Sequence, residues 1–276
     1  MRVSVALCTY NGGKYISEQI ESILNQTIKV DEIVICDDSS SDTTVEIINR
    51  FQSENKNIFL HINETKLGII KNFEKCIRIT SGDIIFLSDQ DDIWLPEKAE
   101  LLIAALELKH HNLLVFSDGV LIDDTNEKLA GNQTLWGKWG FTQEMQAAWR
   151  DNIRAFYDLS KNNNKITGAT LAFKSRLKNY IFPFELPLNY WHDAWLGLVA
   201  ASRGGLVFVD KATILYRIHS EQQIGINMDA TMSGDKNSLI SATQFSKILY
   251  RKRPALNVRL KYALKRKWDW LTFSRR

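Results

Sequence analysis

The sequence predicts an α/β protein built on an open, mostly parallel sheet flanked by helices. Three observations carry that expectation. Residues 1–118 alternate short β-branched apolar runs with stretches of helical period. Polar clusters stand at the carboxyl ends of those runs, where open sheets of this kind bind ligands. The 276 residues, 45% hydrophobic and 24% charged, are ordinary for a soluble globular protein and ample for a packed core.

The elements follow in order. VSVAL (3–7) reads as a strand running into the turn-like TYNGGKY, and a helix with Ile16, Ile20, Ile23 and Leu24 on one face comes next. EIVICDD (32–38) is a buried strand ending in acids, and SSSDTTVEIINRF opens with capping residues before turning helical. NIFLHIN (57–63) is a strand, IIKNFEKCIRI (69–79) a helix and DIIFLS (83–88) the next strand. Pro96 suits the first turn of a helix over 96–109, after which LLVFSD (113–118) returns to strand. The stretch 119–165 is polar and rich in aromatics (Trp136, Trp139, Trp149) without a clean period, a candidate lid or acceptor-binding insertion. Strands are expected again at 167–173 and 205–210, with a helix at 193–201 between them.

Composition excludes several classes. No basic head joined to an apolar core marks a signal peptide, and no apolar run reaches the roughly 18–20 residues of a membrane span, so a cytoplasmic location is expected. Cys8, Cys36 and Cys76 lack metal spacing and read as reduced, buried thiols. The net charge of +3 conceals an asymmetry. Residues 247–276 carry eleven Lys or Arg against Asp269 alone, while the rest carry 24 basic and 31 acidic side chains, net −7. A mildly acidic body therefore ends in a basic, aromatic tail.

FLSDQDDIW (86–94) is the most specific constellation. Asp89, Asp91 and Asp92 crowd like charges at a strand end, where a helix cap needs one acid only. Magnesium typically takes one or two carboxylates from a protein and the rest of its shell from phosphate and water, so an acid-x-acid pair here suits a metal–diphosphate complex. In TYNGG (9–13), Gly12 and Gly13 let the backbone approach a ligand and the next helix offers N–H groups to an anion; a plain strand–turn–helix is the competing reading. In CDDSSSD (36–42), Asp37 or Asp38 can accept a pyrimidine ring N–H, while Asp42 suits a helix cap. NYWHDAWLG (189–197) sets His192 and Asp193 just before a helix. Asp193, ionised at an ordinary pKa of about 3.9, is either a general base or a cap. In YRIHSEQ (216–222), strand alternation puts Arg217 and His219 on one face, a guanidinium fork for diphosphate and an imidazole for a metal such as manganese. A half-exposed edge strand is the competing reading there.

Taken in order, these motifs resemble an inverting family 2 glycosyltransferase of the GT-A fold over roughly residues 1–225. The resemblance implies that Thr9, Tyr10 and Asn11 line the nucleotide and that Asp38 faces the pyrimidine. KLGIIKN (66–72) resembles a further nucleotide-binding loop: Gly68 and Asn72 match, and Lys71 stands where the family usually has arginine. SDQDD resembles the DxD motif, with Asp89 toward ribose and metal, Asp91 on the metal and Asp92 adjacent. HD at 192–193 resembles the family's acid-plus-aspartate motif, which gives Asp193 the base role and makes His192 a departure. ITGATLAF (166–173) and the Arg-x-His at 217–219 are similar to the family too, implying Arg217 on the diphosphate and His219 in the metal shell. The Gln-x-x-Arg-Trp signature of processive polymerases is absent, which implies single-sugar transfer.

The blend of SDQDD, WHD and YRIH is most similar to rhamnosyltransferases of bacterial surface polysaccharide synthesis. It implies a dTDP-L-rhamnose donor, a divalent metal (Mn or Mg) and a saccharide or lipid-linked saccharide acceptor; a UDP-sugar is the alternative donor. The implied organisation is a nucleotide-sugar-binding half (1–118), an acceptor-binding and catalytic half (119–225) and a basic helical tail (226–276). The tail's interleaved basic and aromatic residues suit an anionic membrane surface at the inner face of the cell membrane, packing on the body being the competing reading. No nucleic-acid recognition fold accompanies it. A sugar nucleotidyltransferase would show a glycine- and basic-rich first loop that is absent here. A non-catalytic carbohydrate-binding protein would explain the tryptophans of 119–165, but not Asp89, Asp91 and Asp193 together.

Overall fold

The computed structural model describes residues 1–131, 133–186 and 190–220; the tail 226–276 lies outside the described residues. Strands β1 (Val3–Thr9), β2 (Glu32–Asp37), β3 (Ile58–Ile62) and β4 (Ile84–Ser88) alternate with helices α1 (Ile16–Leu24), α2 (Thr44–Glu54) and α3 (Ile69–Ile79), as their periods predict. A two-residue β5 (Ile93–Trp94), α4 (Lys98–Glu107) and β6 (Leu114–Ile122) follow. Next come α5 (Leu135–Trp139), α6 (Gln143–Trp149), α7 (Asn152–Leu159), β7 (Leu171–Lys174), α8 (Lys178–Ile181), α9 (His192–Ser202) and β8 (Leu206–Arg217).

Each helix of the first half packs by the face its sequence marks. α1 buries Ile16, Ile20 and Ile23, and α4 buries Ala99, Leu102, Ile103 and Leu106, the i, i+3, i+4, i+7 set of one helical stripe. β2 and β4 are buried along their whole length, as continuous apolar runs covered by helices on both faces should be. The three cysteines are free; Cys8 and Cys36 are register partners on β1 and β2, and Cys76 of α3 lies against the same strands.

The strand order is β3-β2-β1-β4-β7-β6-β8-β5. Pairing is parallel through β3, β2, β1 and β4, so the parallel expectation holds for that half. β7 then enters antiparallel between β4 and β6, β8 returns parallel to β6, and β5 pairs antiparallel with β8. From β1 the chain winds outward to β2 and β3, then crosses back to place β4 on the other side of β1. The carboxyl ends of β1 and β4 therefore flank a topological switch point, where an open α/β sheet leaves a crevice.

Several boundaries move. β6 runs on to Ile122, through the expected division at 118/119, and β8 extends to Arg217 rather than ending at 210. Both extensions come from mutual pairing, Gly119–Ile122 lying against Ile214–Arg217, a long-range contact that local propensity does not encode. The expected strand 167–173 begins as a single 3₁₀ turn, Gly168–Thr170, before β7.

The insertion after β6 is mostly exposed or half-buried but sends several aromatic side chains into the core. Trp136 and Trp149 are buried in a cluster with Phe116, Phe141 and Phe208 whose ring centroids lie 4.9–6.1 Å apart. Trp149 donates its indole N–H to Asp158, which also pairs with Arg154. Phe116 touches four of these rings, so Phe116→Ala should cost about 3–5 kcal/mol of stability in urea unfolding. Phe59→Ser on the exposed face of β3 should stay within about 0.5 kcal/mol of the parent.

Candidate active site

A cavity of about 510 Å³ opens at the switch point, walled on one side by the ends of β1 and β4 and on the other by the start of α9. Thr9, Tyr10, Asp38, Asn72, Asp89 and Asp91 line the first wall; His192 and Asp193 line the second. Residues far apart in the chain thus meet around one volume.

The first wall is built by loops that bind one another. Gly12 and Gly13 do not leave room for a ligand: a Cβ on Gly12 would lie 2.4 Å from Gln90 Oε1, and one on Gly13 2.5 Å from Thr43 Oγ1. Their N–H groups are likewise given to Thr44 and Asp42 rather than to a ligand. Asp42 caps the start of α2 by accepting from the Thr44 N–H as well. Asn11, exposed at φ 49°, ties this loop to the next through Ser40 and Ser41 and does not line the cavity. Tyr10 does; its ring lies 3.4 Å beneath the Lys66 ammonium.

Asp38 is the node of the second loop. Its Oδ1 accepts from Asn63 Nδ2 and the Leu67 N–H, and its Oδ2 from the Gly68 N–H, at 2.7–2.8 Å. Two carboxylate oxygens offer about four acceptor positions, so three internal donors leave one for a base N–H. Gly68 stands at φ +81° and ψ 157°, a region essentially open to glycine alone, where an L side chain costs roughly 1–3 kcal/mol. Asn72 is buried, donating to the Cys36 carbonyl and accepting from Asn63. Lys71 departs from expectation: it is exposed, pairs with Glu74 at 2.7 Å and does not line the cavity, because its place on α3 directs it toward the next turn.

The carboxylate loop after β4 is held from beneath. Arg217, 1% exposed, donates its backbone N–H to Asp92 Oδ1 and its Nε to the Asp91 carbonyl. Its guanidinium continues to Asn126 and to Glu18, with which it forms a 2.7 Å ion pair. Arg217 is therefore not a cavity-lining residue, and its expected place on a diphosphate is taken by these protein acceptors. Lys98 is wholly buried, its ammonium against the Ala169 carbonyl at 2.5 Å and over the Trp94 ring at 3.6 Å. Burial pushes Lys98 well below the usual lysine range, against the opposing pull of Asp92 and Asp89. Burial and the neighbouring Asp91 and Asp193 charges push Asp89 up to about 7. Asp92 is raised further by burial, Asp91 and Asp89, and its Oδ2 has no partner among the described residues.

On the far wall, Asp193 Oδ1 accepts from the Ala194 N–H at 2.5 Å and from Asn164 Nδ2 at 3.2 Å. Burial pushes its carboxyl up to about 7, although those donors and the Gly168 N–H favour the ionised form. His192 is buried and stacked on Phe73 at 4.0 Å. Of the insertion's tryptophans only Trp139, 38% exposed, reaches the cavity.

Sequence reasoning missed Gln90, Lys98 and Asn164. Gln90 stands inside SDQDD and clamps Tyr10 by exchanging both hydrogen bonds with its backbone. Lys98 follows Pro96 as an ordinary helix lysine, and Asn164 sits in an aperiodic loop, so neither carried a local signal.

Among the described residues no three His, Cys, Asp or Glu side chains converge as a ready-made metal shell. The donor chemistry nevertheless suits a hard or borderline divalent cation. His219 Nε2, which does not itself line the cavity, lies 3.0 Å from Asp91 Oδ2; Asp89 and Asp91 both line the cavity, and such cations complete their shells from phosphate and water.

The profile of Glycosyl transferase family 2 matches residues 4–172. The chain belongs to glycosyl transferase family 2. It is 29% identical over 235 residues to the dTDP-rhamnosyl transferase RfbG of Shigella flexneri, covering 80% of this chain and 74% of that one. The UDP-Glc:alpha-D-GlcNAc-diphosphoundecaprenol beta-1,3-glucosyltransferase WfgD of Escherichia coli is 28% identical over 71% of this chain and 68% of its own. An uncharacterized glycosyltransferase of Haemophilus influenzae is 28% identical over 80% of this chain, which spans 66% of that relative's length. The fold matches Staphylococcus aureus TarS in complex with UDP-GlcNAc at a TM-score of 0.59, with 22% identity over 80% of this chain and 60% of that one. It matches the mannosyltransferase PcManGT of Pyrobaculum calidifontis, in complex with GDP-Man and Mn2+, at 0.60, with 18% identity over 80% and 58%. This family 2 transferase therefore has the GT-A fold that its motifs imply.

The raised carboxyls give a stability prediction. Asp89 and Asp193 keep their protons to about pH 7 when folded, against an ordinary 3.8. Between those values the folded state binds more protons than the unfolded one, so stability falls as pH rises from about 4 to about 7 and then levels. Denaturant midpoints across that range should show the fall, and Asp193→Asn should remove part of it; a flat profile in the parent protein would refute the two assignments.

Proposed function

We propose that this family 2 transferase moves one sugar from a nucleoside diphosphate donor to a saccharide acceptor with inversion, in bacterial surface polysaccharide synthesis. The observation that supports the reading is one cavity lined at once by Tyr10, Asp38, Asn72, Asp89, Asp91 and Asp193. In this reading Asp38 accepts the base N–H with its remaining lone pair, and Thr9 and Tyr10 flank the nucleotide. Asp91, with Asp89 and His219, would hold a divalent cation, which would neutralise charge on the diphosphate. Arg217 acts from behind, fixing the loop that carries those carboxylates.

Asp193 takes the proton of the acceptor hydroxyl as that oxygen bonds to the anomeric carbon. The bond from that carbon to the diphosphate oxygen breaks on the opposite face, and the nucleoside diphosphate leaves with the electron pair. A carboxyl poised at about 7 suits a general base at neutral pH better than one at the ordinary 3.8. Asn164 and the Ala194 N–H orient it.

For the donor, the relation to RfbG supports dTDP-L-rhamnose, and the relation to WfgD supports a UDP-sugar as the second reading. WfgD's acceptor is lipid-linked by its name, which supports the same acceptor class here. The basic tail, outside the described residues, would bring the enzyme to the cytoplasmic membrane surface that carries such an acceptor. No described helix is long and apolar enough to cross a membrane.

Two measurements test the reading. Asp193→Asn should lower nucleoside diphosphate release by about 10²–10⁴-fold while leaving nucleotide-sugar binding unchanged; equal loss of both would make Asp193 a helix cap. In a thermal-shift series with Mn or Mg, dTDP-L-rhamnose should stabilise the protein more than dTDP-glucose or UDP-sugars do. A larger shift with a UDP-sugar would replace the donor and keep the transferase.

A further inference from the structure

The strand that turns Arg217 into the fold turns its neighbour toward the cavity. Successive side chains of β8 point to opposite faces of the sheet, so Tyr216 and Arg217 diverge. Tyr216 lines the cavity, whereas Arg217 does not. Only 7% of Tyr216 is exposed. Its hydroxyl nonetheless forms no hydrogen bond with any described residue, and, unlike the hydroxyl of Tyr15, it is not sealed inside the fold. A phenol whose ring is buried and whose oxygen stays open calls for a partner that the chain does not supply.

Its surroundings indicate what that partner is. β5 pairs with β8 at Ile93 and Leu215, the residues that directly follow Asp92 and precede Tyr216. On the other side of Tyr216, Arg217 holds the acidic loop through Asp92 Oδ1 and the Asp91 carbonyl. Tyr216 is therefore fixed against that loop from both directions along the strand. Burial first, and then the charges of Asp92, Asp89, Asp91 and Asp193, raise its pKa well above the usual tyrosine value. The hydroxyl keeps its proton and has it to donate. Three side-chain donors of the first wall are already spent within the fold: Thr9 on Asp37, Asn72 on the Cys36 carbonyl and Gln90 on the Tyr10 carbonyl. In the transferase reading a cation joins the carboxylate loop to a diphosphate, whose anionic oxygens are the strongest acceptors that such a phenol can meet.

We propose that Tyr216 contacts the substrate, its phenol donating a hydrogen bond to a phosphate oxygen of the donor's diphosphate. The proposal rests on the transferase reading of the same cavity.

Tyr216→Phe tests it, because the variant removes the hydroxyl alone. That hydroxyl bonds nothing among the described residues, so the variant's urea midpoint should be no lower than the parent's. Titration calorimetry on the full chain, with Mn present, compares dTDP, UDP, dTDP-L-rhamnose and UDP-glucose. The variant should bind each nucleotide that the parent binds about tenfold to hundredfold more weakly, the range for one hydrogen bond to a charged acceptor. Unchanged affinity for dTDP and UDP would overturn the proposal. So would a loss confined to the nucleotide sugars, which would put the contact on the sugar. A lowered midpoint would do the same, marking a hydroxyl that the fold itself needs. In each of these cases the parent's nucleotide binding leaves the transferase reading standing. A parent that binds no nucleotide, with Mn or with Mg, would sink the transferase reading and the proposal with it.

Discussion

Two buried basic side chains govern the architecture of this cavity. Lys98 is fully enclosed and Arg217 is 1% exposed; Arg217 is bonded to the acidic loop after β4, and Lys98 feels the charges of its Asp89 and Asp92. A charge taken out of water is tolerated only when it is paired and hydrogen-bonded; Arg217 meets that condition through the loop and Glu18, whereas Lys98 has the Ala169 carbonyl and the Trp94 ring and is pushed by burial well below the usual lysine range. Arg217 fixes Asp91 through its carbonyl and Asp92 through its carboxylate, then reaches Glu18 on α1, joining β8, the loop and the first helix. The compensation is one-sided. The face of the loop turned to the cavity has carboxylates in excess, so burial and mutual repulsion raise Asp89 and Asp92. A ligand bringing positive charge relieves that excess, which is why a metal-bearing nucleotide sugar suits the site electrostatically.

The same economy separates the tryptophans. Trp136 and Trp149 fill the space between β6, β8 and the helices of the insertion, where their large rings pack on Phe116 and Phe208. Trp139, a turn away from that cluster at the end of α5, is left at the cavity. An aromatic-rich stretch thus serves two purposes that composition alone does not separate. Most of the insertion is a scaffold that presents Asn164 to Asp193.

Much of the site was legible because its residues sit in motifs with local meaning. Asp38, Asn72, Asp89, Asp91 and Asp193 all stand next to an apolar strand or a helix start, and all line the cavity. The glycines of TYNGG misled for a physical reason: a glycine marks close approach, but sequence does not say to what. Here Gln90, Thr43 and Asp42 approach, not a ligand. Arg217 and Lys71 misled in a similar way. A cation announces its charge in the sequence, but its partner is settled by whichever acceptor the fold brings nearest, Glu18 in one case and Glu74 in the other.

By itself the sequence determined the alternation of strands and helices in the first half, the faces those helices bury, and the loops that carry acids, because hydrophobic period and capping chemistry are local. Only the tertiary structure decided that β7 enters antiparallel beside β4, that β6 and β8 lengthen against each other, and that α9 faces β4 across one cavity. It alone decided the protonation of the site. Whether a carboxyl titrates near 4 or near 7 depends on the water and charges that distant segments remove from it or bring to it, and no stretch of a few residues contains that information.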